Sequence, residues 1–170
     1  MILWTDTQPA RQLIIPVEKS ISCVAATTEE LYVVVDQPQH QLHVYDTADW
    51  KFQRSLSVPG LQSSAQNDLA FCTGLKCLYL SDHNGKCVHR LPFRLPSAIS
   101  KWSTRENPYG VSVSQNNNVL VTCRQLRKLQ EYTGVGDFLR EIELKITSPW
   151  RSVQLSDERF LVVHGYHGDA

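Results

Sequence analysis

The chain has 170 residues, of which 42% are hydrophobic, and its 17 basic and 17 acidic residues give a formal net charge of zero. A chain of this length and apolar content can bury one hydrophobic core. Neutrality argues against a protein whose whole surface attracts nucleic acid or anionic lipid, and no apolar run is long enough to cross a membrane. The first nine residues lack the pattern of a secretory signal, so we expect a cytoplasmic protein without a membrane partner.

Four stretches of sixteen residues align without gaps, and each ends in a short apolar run. They occupy residues 21–36, 68–83, 109–124 and 150–165. Their starts lie about 40 to 50 residues apart, which is the period of a β-propeller blade built from short strands. The sequence therefore predicts an all-β fold of repeated blades, each with four antiparallel strands.

Strands are predicted where β-branched and aromatic residues form short runs between turn-forming residues. In chain order these runs are 31–35, 41–46 and 50–56 in the first unit, 78–82, 86–91 and 99–103 in the second, 119–123, 128–133 and 138–144 in the third, and 160–164 in the fourth. The first strand of each unit is less regular. We expect deep burial at the equivalent second-strand positions, which are Val33, Leu80, Val121 and Val162.

Prolines mark the junctions between units, because proline pre-sets a turn and is excluded from central strands. The resulting division is 1–20 as the end of a preceding blade or an N-terminal strand, 21–60 as a blade, 61–67 as a linker, 68–108 and 109–149 as blades, and 150–170 as a truncated blade. Such an array leaves one blade face uncovered at each end. We therefore expect a segment of a longer protein, which self-associates or partly unfolds when isolated.

The five cysteines are an odd number and contain no C-x-x-C pair. They are Cys23, Cys72, Cys77, Cys87 and Cys123, and all lie within or beside predicted strands. We interpret them as small buried hydrophobic residues of a reducing compartment. A zinc site that combines them with His83 or His89 lacks the tight ligand pairs of structural zinc, so no metal or other cofactor is predicted.

The third unit resembles an NHL repeat. It has a Pro-x-Gly start, an apolar strand, an Asn turn, a second apolar strand and a closing Gly-x-Phe-Leu motif. The matching residues are Pro108, Gly110, Val111, Val113, Asn118, 119–121, Leu129, Tyr132, Gly136, Phe138 and Leu139. Residues 78–86 fit the second strand and the following loop of the same repeat. The resemblance covers about three units and implies an NHL-repeat or TolB-like six-bladed propeller, of which this chain forms an incomplete ring of three to four blades.

One face of a propeller carries the loops between second and third strands together with the connections into the first strands, and this face usually binds ligands. The candidate binding residues on it are His83, Lys86, Tyr109, Arg124, Arg127, Trp150 and Arg151. Aromatic rings interleaved with cations stack on unpaired bases and neutralise phosphate, and the resemblance to RNA-binding NHL propellers implies the same use. Packing of the two junction aromatics, with solvated arginines around them, is the structural alternative.

The sequence contains no nucleophile elbow, phosphate-binding loop or zinc-protease motif, so no catalytic residue is predicted. His164 and His167 suit an axial metal site, but Arg124 at the corresponding place in the third unit would repel a cation. The sequence thus favours a non-catalytic binding or scaffold module for protein or peptide partners. The alternatives are a propeller of a tripartite-motif-type ubiquitin ligase that binds single-stranded RNA and, third, a metal-dependent propeller hydrolase or lyase.

Overall fold

The computed structural model describes residues 20–35, 41–62, 64–93, 99–156 and 159–165. Within these ranges, all fourteen elements of regular secondary structure are β-strands. The described ranges hold no helix long and apolar enough to span a membrane. The predicted all-β fold, with blades of four antiparallel strands, is confirmed.

The strands form antiparallel sheets in which each strand pairs with its neighbours along the chain. The first sheet contains β1 (Ile21–Ala26), β2 (Glu30–Val35), β3 (Gln41–Asp46) and β4 (Phe52–Ser57). The second contains β5 (Asp68–Cys72), β6 (Cys77–Asp82), β7 (Cys87–Pro92) and β8 (Ser100–Ser103). The third contains β9 (Pro108–Val113), β10 (Val119–Cys123), β11 (Lys128–Tyr132) and β12 (Phe138–Glu143). The fourth contains only β13 (Pro149–Ser156) and β14 (Arg159–His164).

The hairpin between β9 and β10 shows how local sequence ends a strand. Asn117 adopts a left-handed backbone with a φ of 61°, and its N–H donates to the carbonyl of Ser114 at 3.0 Å. The N–H of Ser114 in turn donates to the carbonyl of Asn118 at 2.8 Å. Asparagine tolerates this backbone conformation better than most residues. The Asn run at 116–118 therefore turns the chain where the apolar sequence of β10 begins.

The sheets are arranged radially, with their first strands side by side. β1 contacts β5, β5 contacts β9, and β9 contacts β13. One apolar cluster fills the space between the first and second sheets and includes Val34, Leu42, Leu69, Leu80 and Leu91. Another fills the space between the second and third sheets and includes Tyr79, Val88, Val111, Val121 and Tyr132. Each sheet thus buries its apolar face only by stacking on a neighbour, as repeat architectures require.

Three of the four predicted anchors, Val33, Leu80 and Val121, are fully buried. Val162 is only partly buried, so the prediction of deep burial is wrong at this position. It lies on β14, whose outer edge pairs with no third strand among the described residues. Side chains on a two-stranded sheet keep the solvent access that a flanking strand would remove.

The fourth sheet has an uncovered apolar face. Four apolar side chains on this face are between 43% and 59% exposed to solvent: Val153, Leu155, Leu161 and Val163. On the first sheet, by contrast, Val33, Val35 and Tyr45 form a separate buried cluster on the side away from the second sheet. The expectation of an uncovered face at each end is therefore confirmed for the fourth sheet and wrong for this part of the first.

Candidate ligand-binding face

Two kinds of segment bring the predicted site residues to one end of the sheets. His83 follows β6 and Arg124 follows β10, so both open the loop between a second and a third strand. Tyr109 and Trp150 are the second residues of β9 and β13, which are first strands. In an antiparallel four-stranded blade these loops and these strand starts lie at the same end. We call His83, Tyr109, Arg124 and Trp150 the aromatic–arginine cluster.

The rings of the cluster pack edge to face and carry the arginine. His83 and Tyr109 have ring centroids 4.5 Å apart and planes inclined by 81°. Tyr109 and Trp150 are 5.7 Å apart at 86°. The guanidinium carbon of Arg124 lies 5.2 Å from the Tyr109 ring centre and 4.8 Å from that of Trp150. Edge-to-face packing and cation–π attraction are both favourable at these separations, so the four side chains form one contiguous group.

His83 is held by hydrogen bonds on three sides. Its backbone N–H donates to the Asn67 side-chain oxygen at 2.9 Å, and its carbonyl accepts from the Asn107 side-chain amide at 2.9 Å. Its ring Nδ1 lies 3.0 Å from the carbonyl of Pro108. A carbonyl only accepts, so Nδ1 carries the proton that it donates. The second and third sheets are thereby joined beneath the cluster.

Arg151 reaches across the third sheet to the second. One of its nitrogens, Nη1, lies 3.2 Å from Asp68 Oδ1, and Nη2 donates to the carbonyl of Leu69 at 3.4 Å. The Asp68 carboxylate also accepts the backbone N–H of Val111 at 3.0 Å. Burial raises the pKa of Asp68, against the opposing effect of the Arg151 charge. The predicted site residue Arg151 thus forms an ion pair with another residue of the chain, beside the cluster.

Lys86 and Arg127 contact the cluster through their backbone N–H groups and not through their side chains. Each is exposed and is the last residue of its loop, with left-handed φ values of 50° and 54° respectively. The N–H of Arg127 donates to the carbonyl of Arg124 at 3.3 Å, and that of Lys86 to the carbonyl of His83 at 3.4 Å. These residues therefore close the loops that present His83 and Arg124. Residues 37–40 and 166–168, which the repeat register of the sequence aligns with these loops, lie outside the described residues.

Two buried carboxylates that anchor these loops were missed by the sequence analysis. Glu106 accepts the N–H groups of Gln125 and Leu126 at 2.7 and 2.8 Å. Asp82 accepts those of Gly85 and Gln62 at 2.8 and 3.1 Å. Acidic residues beside loops are ordinary surface in most sequences, so the pattern offered no signal for either. The sequence analysis also missed Asp68, although the repeat register gave a signal for it. Asp68 occupies the position that holds an aromatic residue in the third and fourth units.

The electrostatic character of the face follows from these contacts. Within the described ranges, Lys86, Arg124 and Arg127 form no ion pair. The nearby carboxylates of Asp68 and Glu106 are buried and point at backbone N–H groups. Cations and ring edges are therefore presented outward, while the negative charges face inward. Such a surface attracts anionic groups.

No protein-family model matches the chain, and no curated protein matches it in sequence. Several solved structures match it in shape. U3-55K gives a TM-score of 0.73 at 13% identity, over 91% of this chain and 48% of that one. A catalytically inactive virginiamycin B lyase from Staphylococcus aureus, solved with quinupristin, gives 0.69 at 14% identity, over 86% and 50%. BBS1N, solved in complex with ARL6DN, gives 0.65 at 14% identity, over 92% and 53%.

The chain spans about half the length of these three structures. Similarity at this level of identity shows the fold and carries no activity with it. The similar structures include a lyase and a protein in complex with another protein, so the shared fold serves different activities. Together with the radial four-stranded sheets, they show that this chain has a β-propeller fold whose ring is not closed.

Proposed function

We propose that this chain is a non-catalytic propeller binding module of the NHL type, whose aromatic–arginine cluster recognises an acidic segment of a protein partner. The observation that carries the proposal is Arg124. Its guanidinium lies against Tyr109 and Trp150 and has no carboxylate partner among the described residues. That BBS1N was solved in complex with another protein supports a binding role for a chain of this fold.

The geometry of Arg124 suits a carboxylate ligand. A guanidinium presents its donors in a planar fork that matches the two oxygens of a carboxylate. Packing against two rings already restricts the side chain, so less conformational entropy is lost when a ligand binds. The charges of Lys86 and Arg127, at the ends of the same loops, add long-range attraction. An acidic peptide therefore gains both a specific bidentate contact and a favourable field.

The same geometry disfavours single-stranded RNA as the ligand. Bases bind such surfaces by stacking on exposed aromatic faces. Here the ring faces of Tyr109 and Trp150 that meet Arg124 are covered by its guanidinium. Tyr109 also meets the His83 ring at 81° and the Trp150 ring at 86°, so the cluster offers no pair of parallel ring faces for successive bases. A peptide carboxylate uses the arginine itself and does not need those faces.

The proposal is tested by fluorescence anisotropy with a labelled poly-glutamate peptide and the 170-residue chain. We expect Arg124→Gln to weaken binding about tenfold or more, because a hydrogen bond to a charged group contributes about 1.5–3 kcal/mol. Arg159→Gln is the matched control, since it removes the same charge from the opposite end of the fourth sheet. This control should bind like the wild type. Both variants should stay folded, and Arg124→Gln should melt only slightly earlier because it loses its cation–π contacts with two rings.

Three results would replace the proposal. Equal binding by the Arg124→Gln variant would remove the cluster as the binding site. Tighter binding of a single-stranded oligonucleotide than of the peptide, with log K falling by ~0.7 per neutralised phosphate as log salt rises, would identify an RNA-binding propeller. Chemical conversion of a bound ligand would identify a propeller lyase or hydrolase.

A further inference from the structure

Asp82, Cys87 and His89 converge on one point between the first and second sheets. Asp82 pairs with Cys87 in the register of β6 and β7, so both side chains point to the same side. His89 lies two residues beyond Cys87 on β7 and therefore shares that side. Leu80 and Leu91, which also lie on it, pack into the cluster facing the first sheet. All three polar side chains are buried.

Three potential ligand atoms of these side chains form a compact triangle. His89 Nε2 lies 3.2 Å from Asp82 Oδ2 and 3.5 Å from Cys87 Sγ. The third edge, from Cys87 Sγ to Asp82 Oδ2, is 3.9 Å. In the plane of these three atoms, the equidistant point lies about 2.1 Å from each. An ion slightly out of that plane, as a tetrahedral shell requires, lies about 2.1–2.3 Å from each atom, within the range of zinc bonds to nitrogen, oxygen and sulfur.

The repeat itself separates this triad from ordinary buried polar residues. Equivalent third-strand positions, whose side chains point away from the following sheet, hold His43, His89 and Gln130, all of them buried. A buried polar residue at this position is therefore common to all three sheets and does not by itself indicate a metal site. The paired positions that hold Asp82 and Cys87 in the second sheet are not polar throughout the repeat. They hold Val35 and Gln41 in the first sheet and Cys123 and Lys128 in the third. Within the described residues, only the second sheet adds a carboxylate and a thiol to the polar position.

Loop contacts hold the carboxylate in place. Gly85 N–H donates to Asp82 Oδ1 at 2.8 Å, and Gln62 N–H donates to Oδ2 at 3.1 Å. A Cβ atom on Gly85 would lie 2.4 Å from Oδ2, so only glycine lets the loop close over the carboxylate. A carboxylate oxygen has two acceptor directions, and Oδ2 can receive the Gln62 N–H while also facing His89 and Cys87. The oxygen is thus fixed before any further ligand arrives.

We propose that Asp82, Cys87 and His89 bind a zinc ion. Thiolate, imidazole and carboxylate are the donor types that zinc takes in proteins, and sites with three protein ligands complete a tetrahedral shell with water. The ion would join the two strands that flank the 83–86 loop, and so would stiffen the support of His83. The proposal is independent of the ligand of the aromatic–arginine cluster.

Metal titration of the wild-type chain gives the first test. After treatment with a chelator, the chain should bind about one equivalent of cobalt(II), with a thiolate-to-cobalt charge-transfer band and the strong visible bands of a tetrahedral site. Zinc should displace the cobalt and raise the melting temperature, because a ligand that binds only the folded state stabilises it. A folded wild-type chain that gives no charge-transfer band and no shift with zinc would overturn the proposal.

Variants then assign the ligands. Cys87→Ser and His89→Gln should each lose the charge-transfer band and bind zinc at least ~100-fold more weakly, since loss of even an outer-shell partner costs 10–100-fold. His43→Gln is the matched control, because it makes the same change at the equivalent place in the first sheet and should keep both signals. A charge-transfer band that persists in the Cys87→Ser variant would place the metal elsewhere. His89→Gln introduces the residue that the third sheet already holds as Gln130, so it decides the question even where the serine variant fails to fold.

Discussion

Three buried carboxylates support the loops and strand starts of the candidate face. Asp68, Asp82 and Glu106 each accept backbone N–H groups from a neighbouring loop or strand. Burial of a carboxylate costs free energy, which hydrogen bonds and nearby cations must offset. Backbone N–H groups of the loops and strand starts therefore donate to carboxylates that are held inside the fold. Arg124 has no such acceptor in the described ranges, and its guanidinium contacts only the rings of Tyr109 and Trp150 there.

The titration of Asp68 provides a test at this scale. Burial raises its pKa, while the Arg151 charge and the Val111 N–H lower it. Since the folded-state pKa lies above the unfolded one, Asp68 contributes stability that is present below the unfolded pKa and lost as the pH rises through the folded pKa. Arg151→Gln removes one lowering influence, so we expect the pKa of Asp68 to rise further and stability above that pKa to decrease. Carbon-13 NMR titration of the Asp68 carboxyl measures this.

A matched variant makes the result specific. Arg159→Gln removes an arginine from the same sheet at the other end, and it should leave the Asp68 titration unchanged. An identical Asp68 pKa in the Arg151→Gln variant and the wild type would mean that the ion pair has no electrostatic effect on the carboxyl group.

At the scale of elements, the hairpins place their last loop residue in the left-handed backbone region. Lys76, Lys86 and Arg127 occupy this position before β6, β7 and β11, with φ between 48° and 54°. This conformation costs a residue other than glycine about 1–2 kcal/mol. Glycine avoids that cost but loses more backbone entropy on folding, by about 0.5–1 kcal/mol. The stability of the turn therefore does not explain why these positions hold lysine or arginine.

Substitution of Arg127 separates its turn position from its charge. We expect Arg127→Gly to raise the free energy of unfolding by up to about 1 kcal/mol, because relief of the left-handed backbone exceeds the entropy cost. Arg127→Val should lower it by about 1 kcal/mol or more, since a β-branched residue is strained at this φ. Urea denaturation measures both. Lys145→Gly, at an exposed position without positive φ, should only destabilise, and equal losses in both glycine variants would contradict the explanation.

Local sequence was enough to predict most strands. β10 begins and ends at 119–123 as predicted, because an Asn turn and a polar loop bound its apolar run. β4 begins at Phe52 and not at 50, since Trp50 has a φ of 61° that belongs to a turn. Tyr109 and Trp150 could be located on the candidate face from the repeat register alone. Their packing against Arg124 could not, because it depends on how neighbouring sheets rotate against each other.

The buried carboxylates were beyond local patterns for a related reason. Asp68 accepts an N–H group 43 residues away, and Glu106 one that is 19 residues away. The acceptor and its donor become neighbours only after two sheets have stacked. Asp82, Cys87 and His89 lie within eight residues of the chain, but it is the pairing of β6 with β7 that puts their side chains on one side of the sheet. Sequence spacing alone therefore disfavoured zinc at the site where the structure brings three donor atoms together.

At the scale of the whole molecule, the sheets differ in how fully they are covered. The second and third sheets share an apolar cluster, and the second also packs on the first. The fourth sheet leaves one face with four exposed apolar side chains, and β14 has an edge that pairs with no described strand. Contiguous apolar surface and open strand edges both promote association. This sheet is where we expect isolated chains to meet.

Sedimentation velocity tests this expectation. The 170-residue chain should form dimers or larger species at tens of micromolar, and the double substitution Leu161→Lys and Val163→Lys should shift it towards monomer. These two residues are exposed by 57% and 59%, so the lysines are accommodated without burial of charge. Val135→Lys, at an isolated position exposed by 68%, should leave association unchanged. A wild-type chain that sediments as a monomer with a sharp cooperative melt would refute the prediction.

The contact between Arg151 and Asp68 also bears on how such a protein can change its number of blades. In an array where each unit contacts only its neighbours, the insertion or loss of one unit shifts everything that follows by one unit. Arg151 meets Asp68 only because a single sheet lies between their own. A second copy of the third unit would carry the arginine out of reach and leave the buried carboxylate without its cation. We therefore expect residues 68–151 to be inherited as one block, with recombination tolerated only outside it.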